Sequence, residues 1–107
     1  MFHINVQTLR DVVIFRCQGR IVSGDENTVL QNAAVCLADA STLVLDLAQV
    51  SGIDAGWFGI LLRLHRWTRS NGIHLKLMNV PNTVQQVLEA TQLDRLFETA
   101  LRRERSA

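Results

Sequence analysis

Near the amino terminus Phe2, Ile4, Val6 and Thr8 alternate with His3, Asn5 and Gln7, the period-two pattern of a half-buried strand. After a turn at Leu9, Arg10 and Asp11 the alternation resumes over residues 12–18. Val13, Phe15 and Cys17 share one face there, and Val12, Ile14, Arg16 and Gln18 share the other. The two runs predict an antiparallel hairpin. Gly19 ends it, and Arg20, Ile21 and Val22 make a short further extended piece.

The spacing then changes. Ser23 and Glu26 have the S-x-x-E separation of a capping box, in which each side chain satisfies a free backbone donor of the other. Val29, Ala33 and Leu37 follow at four-residue steps, flanked by Leu30 and Ala34. They predict an amphipathic helix laid on a sheet and ending within residues 38–41. Leu43, Val44, Leu45, Asp46 and Leu47 form a compact run, read as a buried central strand.

A second helix is predicted over residues 55–70. Trp57, Ile60, Leu61, Leu64 and Trp67 lie on one side of it, with Arg63, Arg66 and Ser70 opposite. Phe58 and Leu62 sit one turn apart on its flank, as core edge or exposed patch. Asn71 and Gly72 stop the helix. Ile73, Leu75 and Leu77 then alternate with His74, Lys76 and Met78, a strand with one apolar face, which places helices mainly on one side of the sheet. Asn82 with Gln85 reads as a third helix start, with Val84, Val87, Leu88 and Thr91 facing inward. Leu93, Leu96 and Phe97 predict a closing turn against the core, and residues 101–107 a charged tail.

This order predicts an α/β fold: a mixed sheet of four to five strands opened by a hairpin, with three to four helices packed mainly on one face. A chain of 107 residues is one domain, here residues 1–100 before the tail. A domain of this size hides roughly 65% of its unfolded surface, enough to stand without disulfides or metal. A net charge of +1 gives no bulk attraction to nucleic acid or to an anionic membrane. No apolar run approaches the ~20 residues that span a bilayer, and no basic-then-apolar leader opens the chain. Cys17 and Cys36 have neither zinc nor redox spacing and read as buried small side chains in a reducing compartment. The expected location is therefore cytoplasmic.

Candidate chemistry centres on Asp54, Ala55 and Gly56, where the central strand hands over to the second helix. Asp54 stands at the N-cap position, able to accept from the N–H groups of Gly56 or Trp57. The free N–H groups and positive dipole end of a helix start suit a charge-based event. Trp57 and Phe58 are either buried packing or an exposed aromatic interface. Arg63, Arg66 and Arg69, at three-residue steps, read as a solvated face or as a surface for an anionic partner. His3, His65 and His74 are scattered without supporting carboxylates, so no metal is expected. No phosphate-binding loop, dinucleotide fingerprint or nucleophile motif occurs, so neither an enzyme nor a cofactor is expected.

Three segments in order resemble the STAS domain of anti-sigma factor antagonists and span nearly the whole chain. They are residues 19–26; residues 43–47 with Val50, Ile53, Asp54 and Gly59 to Leu62; and residues 72–80 with 84–88 and 93–97. The resemblance implies a non-catalytic partner switch. Such a protein binds an anti-sigma factor that is a serine kinase, frees the sigma factor only indirectly, and is released when its own serine is phosphorylated. It implies a partner surface here at Ser23, Asp25, Asp54, Ala55, Gly56, Trp57 and Phe58. The family's Asp-Ser-(Ser/Thr)-Gly corresponds to Asp54, Ala55, Gly56 and Trp57, so the phosphoacceptor position holds Ala55 and lacks a hydroxyl. Ser51, Ser23 and Thr28 are substitute acceptors or plain turn and cap residues. A scaffold subunit of another complex, such as a membrane transport system, is the alternative, as is a sensor of small anions at the Ala55 helix start.

Overall fold

The computed structural model describes residues 3–19, 25–50, 55–92, 95 and 98–101, and of residues 25, 26, 55 and 98–101 it describes the backbone alone. The elements are β1 (His3–Leu9), β2 (Val12–Gln18), α1 (Asp25–Cys36), β3 (Thr42–Gln49), α2 (Ala55–Ser70), β4 (His74–Met78), α3 (Asn82–Ala90) and β5 (Glu98–Leu101). The five strands form one sheet in the order β1-β2-β3-β4-β5. The opening hairpin is antiparallel, and β2, β3, β4 and β5 run parallel to their neighbours.

Register explains the core. Phe15 faces Leu45 across β2 and β3, and Leu45 faces Leu77 across β3 and β4. Val13, Leu43 and Leu75 form a second such row. These side chains stand on one face of the sheet and pack with Val29 and Ala33 of α1 and Leu37 just beyond it, with Trp57, Ile60, Leu61 and Leu64 of α2, and with Val84 and Leu88 of α3. Connections between adjacent parallel strands are nearly always right-handed, so strands laid down in sequential order carry their helices to the same side. The expected one-sided α/β architecture is the observed one.

The α2 helix ends in a Schellman motif. Gly72 adopts φ +69, its N–H donates to the Arg69 carbonyl at 3.4 Å, and the Ile73 N–H donates to the Thr68 carbonyl at 2.8 Å. A Cβ at Gly72 would meet nothing within 4 Å, so the left-handed backbone rather than space is what demands glycine.

Four expectations change. First, β1 is less covered than a half-buried strand. Val6 faces Phe15 on the helix side, yet it is 41% exposed because β1 lies at the sheet margin, outside the helix layer. Second, the last strand is β5, paired beside β4, and it takes in Leu101 from the segment read as tail. Residues 20–22, 93–94 and 96–97 lie outside the described residues, including the extended piece at Arg20 and the turn residues Leu93, Leu96 and Phe97. Third, α3 begins one residue earlier in role. Pro81 is its N-cap, without a side-chain cap, and its carbonyl accepts from the Gln85 N–H at 2.8 Å. Asn82 is the first helical residue. Fourth, Thr91 is exposed and closes α3 instead of facing the core, its hydroxyl donating to the Val87 carbonyl at 2.8 Å.

Cys17 lies on the covered face of β2, and burial first, then the Asp46 carboxylate, push its thiol up to about 12 from an ordinary 9.0. Unfolded, the thiol loses its proton near 9.0; folded, it keeps it toward 12. The native state thus binds more protons in that window, so this contribution is whole below pH 9 and lost as pH rises. Urea unfolding should therefore lose more stability between neutral and strongly alkaline pH in the wild type than in Cys17→Ala. Equal losses in the two proteins would contradict it.

Candidate functional site

Three parallel strands end at one edge of the sheet, and each is followed by a helix. Asp25 begins α1 beyond β2, Ala55 begins α2 beyond β3, and Asn82 begins α3 beyond β4. The α1 and α2 helices pack against each other, so their starts are neighbours at that edge. Sequential strand order has no point at which the winding reverses, and such reversal is what opens a ligand crevice beyond the carboxyl ends of parallel strands. The edge offers helix starts as a surface.

Asp46 braces this edge. It lies on the sheet face away from the helices, in register with Arg16 and Met78, yet it is only 8% exposed. Its Oδ1 accepts from the Ala48 N–H at 3.0 Å and from Asn79 Nδ2 at 3.2 Å. Arg16 Nε lies 3.5 Å from Oδ2, and Arg16 Nη1 donates to Gln7 Oε1 at 2.6 Å. Asn79 sits at φ 55, a left-handed turn that asparagine tolerates, directly after β4. One carboxylate thereby ties β2, β3 and the β4–α3 turn, with β1 joined through Gln7. The Arg16 side chain is 48% exposed, so its ion pair is worth at most about 1 kcal/mol. The hydrogen bonds to Oδ1 matter more.

The sequence-predicted site residues divide as follows. Ser23, Ser51 and Asp54 lie outside the described residues. Asp25 and Ala55 are the first residues of α1 and α2, described by backbone only. Thr28 is exposed in α1, and Gly56 is exposed in the first turn of α2. Trp57 is core at 2% exposure, so its ring pins the first turn to the sheet instead of offering itself to a partner. Of the two sequence readings of Trp57, buried packing is the one its side chain shows in this structure. Phe58 is half-buried, and Leu62, one turn on, is exposed. The helix-start surface is thus Gly56 with Phe58 and Leu62 along one flank.

Asp46 was not singled out as a site residue by its sequence, although a signal was there. A lone carboxylate in the run Leu43 to Leu47 must be paired if the strand is buried. Replacing it with alanine should cost about 1–3 kcal/mol, since two donors lose their acceptor. Asp46→Asn keeps an acceptor oxygen and should cost less. Urea unfolding of the two variants measures the order, and an equal loss would mean that the charge, rather than the hydrogen bonds, is what braces the edge.

The STAS domain family model matches residues 3–106. Solved structures share the fold. A Thermotoga maritima protein assigned as an anti-sigma factor antagonist superposes with a TM-score of 0.79 at 19% identity, covering 94% of this chain and 86% of that one. An anti-sigma factor antagonist from Mycobacterium paratuberculosis gives 0.76 at 18% identity, covering 97% and 87%. The anti-sigma factor antagonist SpoIIAA, unphosphorylated, gives 0.72 at 19% identity over 94% and 88%, and the Bacillus protein's phosphorylated form also matches. At these identities the likeness is one of fold.

Proposed function

This chain belongs to the STAS domain family, and we propose that it is a non-catalytic, cytoplasmic protein-binding module that docks an anti-sigma factor of the serine-kinase type and so releases a sigma factor indirectly. The docking surface is the edge where α1 and α2 begin: Ser23 and Asp25 at one helix start, Asp54, Ala55 and Gly56 at the other, with Phe58 on the flank. Trp57 supports that surface from beneath. Neither nucleic acid, metal nor cofactor takes part.

The observation that carries this reading is the pair of neighbouring helix starts, with Gly56 exposed and the buried Trp57 fixing the turn behind it. Absence of a strand-order reversal speaks against the small-anion sensor at the same place. A phosphoserine there would carry about −1.5 to −2 charge, tolerated by the helix dipole and repelled by a partner's carboxylates. Ala55 has no hydroxyl to accept that group. The complex is therefore constitutive, governed by how much of each protein is made.

Mixing the protein with its cognate anti-sigma factor and ATP tests this. The wild type should remain unlabelled and bound, whereas Ala55→Ser should accept phosphate and dissociate. Labelling of Ser51, Ser23 or Thr28 in the wild type with loss of the complex would refute constitutive binding. Recovery of transport subunits and no anti-sigma factor in a pull-down would refute the partner itself.

A further inference from the structure

At the far end of α2, about 24 Å from Ala55 along the helix axis, lies an open cleft of ≈ 320 Å³. Its walls are His65, Thr68 and Arg69 on the helix, and residues 72–75 where the chain turns into β4. That volume is at the lower end of small-molecule sites. Ile73 and Leu75 form an apolar floor, each retaining 8% exposure where most of the core has nearly none.

The end of a helix ordinarily presents carbonyl oxygens, which repel anions. Here three of the last four, those of Trp67, Thr68 and Arg69, accept hydrogen bonds. One turn inside the helix, the single Thr68 hydroxyl proton is shared between the Leu64 carbonyl at 2.7 Å and the His65 carbonyl at 3.1 Å. Asn71 Nδ2 donates to the Trp67 carbonyl at 2.8 Å, and the Schellman bonds take the Thr68 and Arg69 carbonyls. The charge that the cleft offers a ligand is the Arg69 guanidinium. The Arg69 side chain is exposed and has no ion pair or hydrogen bond among the described residues, and His65 and His74 border the same cleft. Among the described residues no carboxylate lines it. Asp11, on the neighbouring turn, is held by the Ser41 hydroxyl at 2.6 Å.

We propose that this cleft binds a small organic anion, its carboxylate or phosphate on Arg69 and its apolar part against Ile73 and Leu75. The site is separate from the helix-start surface and does not depend on what docks there. Arg69 also complements the helix dipole, a purely structural role, and the test must tell the two apart.

Amide chemical shifts of residues 72–75 followed during titration do so, with benzoate and phenyl phosphate as probes and benzylamine as the cationic counterpart. Saturable shifts with either anion are expected, the tighter of the two identifying the head group. Arg69→Ala should weaken that binding by roughly tenfold or more, the loss of a charge-assisted hydrogen bond. Arg69→Lys should recover part of it, and Arg63→Ala, on the same helix but outside the cleft, should change nothing. Shifts that never saturate, benzylamine binding as well as benzoate, or an Arg69→Ala protein that binds like the wild type would each overturn the proposal.

Discussion

Everything in this fold follows from a sheet whose strands are laid down in spatial order. With β2, β3, β4 and β5 parallel and sequential, each crossover helix is carried to the same side. The core is then a single layer between Phe15, Leu45 and Leu77 below and the apolar stripes of three helices above. Among the described residues no helix covers the opposite face, and neighbouring strands are what hide the residues buried there. Val44, a buried residue on that face, and Asp46 are the two on the central strand.

That position makes Asp46 more than a polar residue in a strand. A buried carboxylate costs several kcal/mol unless it is hydrogen-bonded and paired. Asp46 meets the condition with groups drawn from each side: Arg16 from β2, the Ala48 N–H ahead of it and Asn79 after β4. These are the places where the chain leaves the sheet toward its helices. The same bonds that satisfy the carboxylate therefore fix the relative positions of the strand ends, which sets where α2 and α3 start. A surface made of helix starts can be no more rigid than the edge from which they spring.

The parts of this fold that one segment's pattern decides were legible in the sequence. Val29, Ala33 and Leu37 sit at the spacing that buries one helical stripe, and all three are core. Gly72 announces the end of α2 because a Schellman turn needs a left-handed residue. What stayed hidden depended on distant partners. Val6 has the right alternation, but whether it is covered depends on how far the helix layer reaches. Residues 98–101 become a strand because β4 has a free edge to pair with, which their own short run does not reveal. Asn82 resembles a cap, yet Pro81 takes that position, its extended backbone at ψ 154 turning into the helix. For the candidate site, the place was legible from the strand-to-helix handover, while the fate of its aromatics was not. Trp57 and Phe58 are adjacent in sequence, and only the rotation of α2 on the sheet decides which one is buried.

That rotation also gives α2 two different ends. Trp57, Ile60, Leu61 and Leu64 lock one face of the helix into the core, so the helix is held along most of its length. At its start, unbonded backbone N–H groups are an intrinsic property of any helix and make a positive surface. At its end, the intrinsic property is the reverse, and Asn71, Gly72 and Ile73 offset it through hydrogen bonds to the Trp67, Arg69 and Thr68 carbonyls. With those carbonyls engaged, Arg69 adds a positive charge beside them. The helix has no Asp or Glu in its sixteen residues to offset this. Each end of α2 thus has its own source of positive charge, the helix dipole at its start and the Arg69 side chain at its end. Salt screens a surface arginine over about 10 Å at ordinary ionic strength, less than half the length of the helix. Each end therefore presents its own field, and an anion held at one leaves the other electrostatically unchanged.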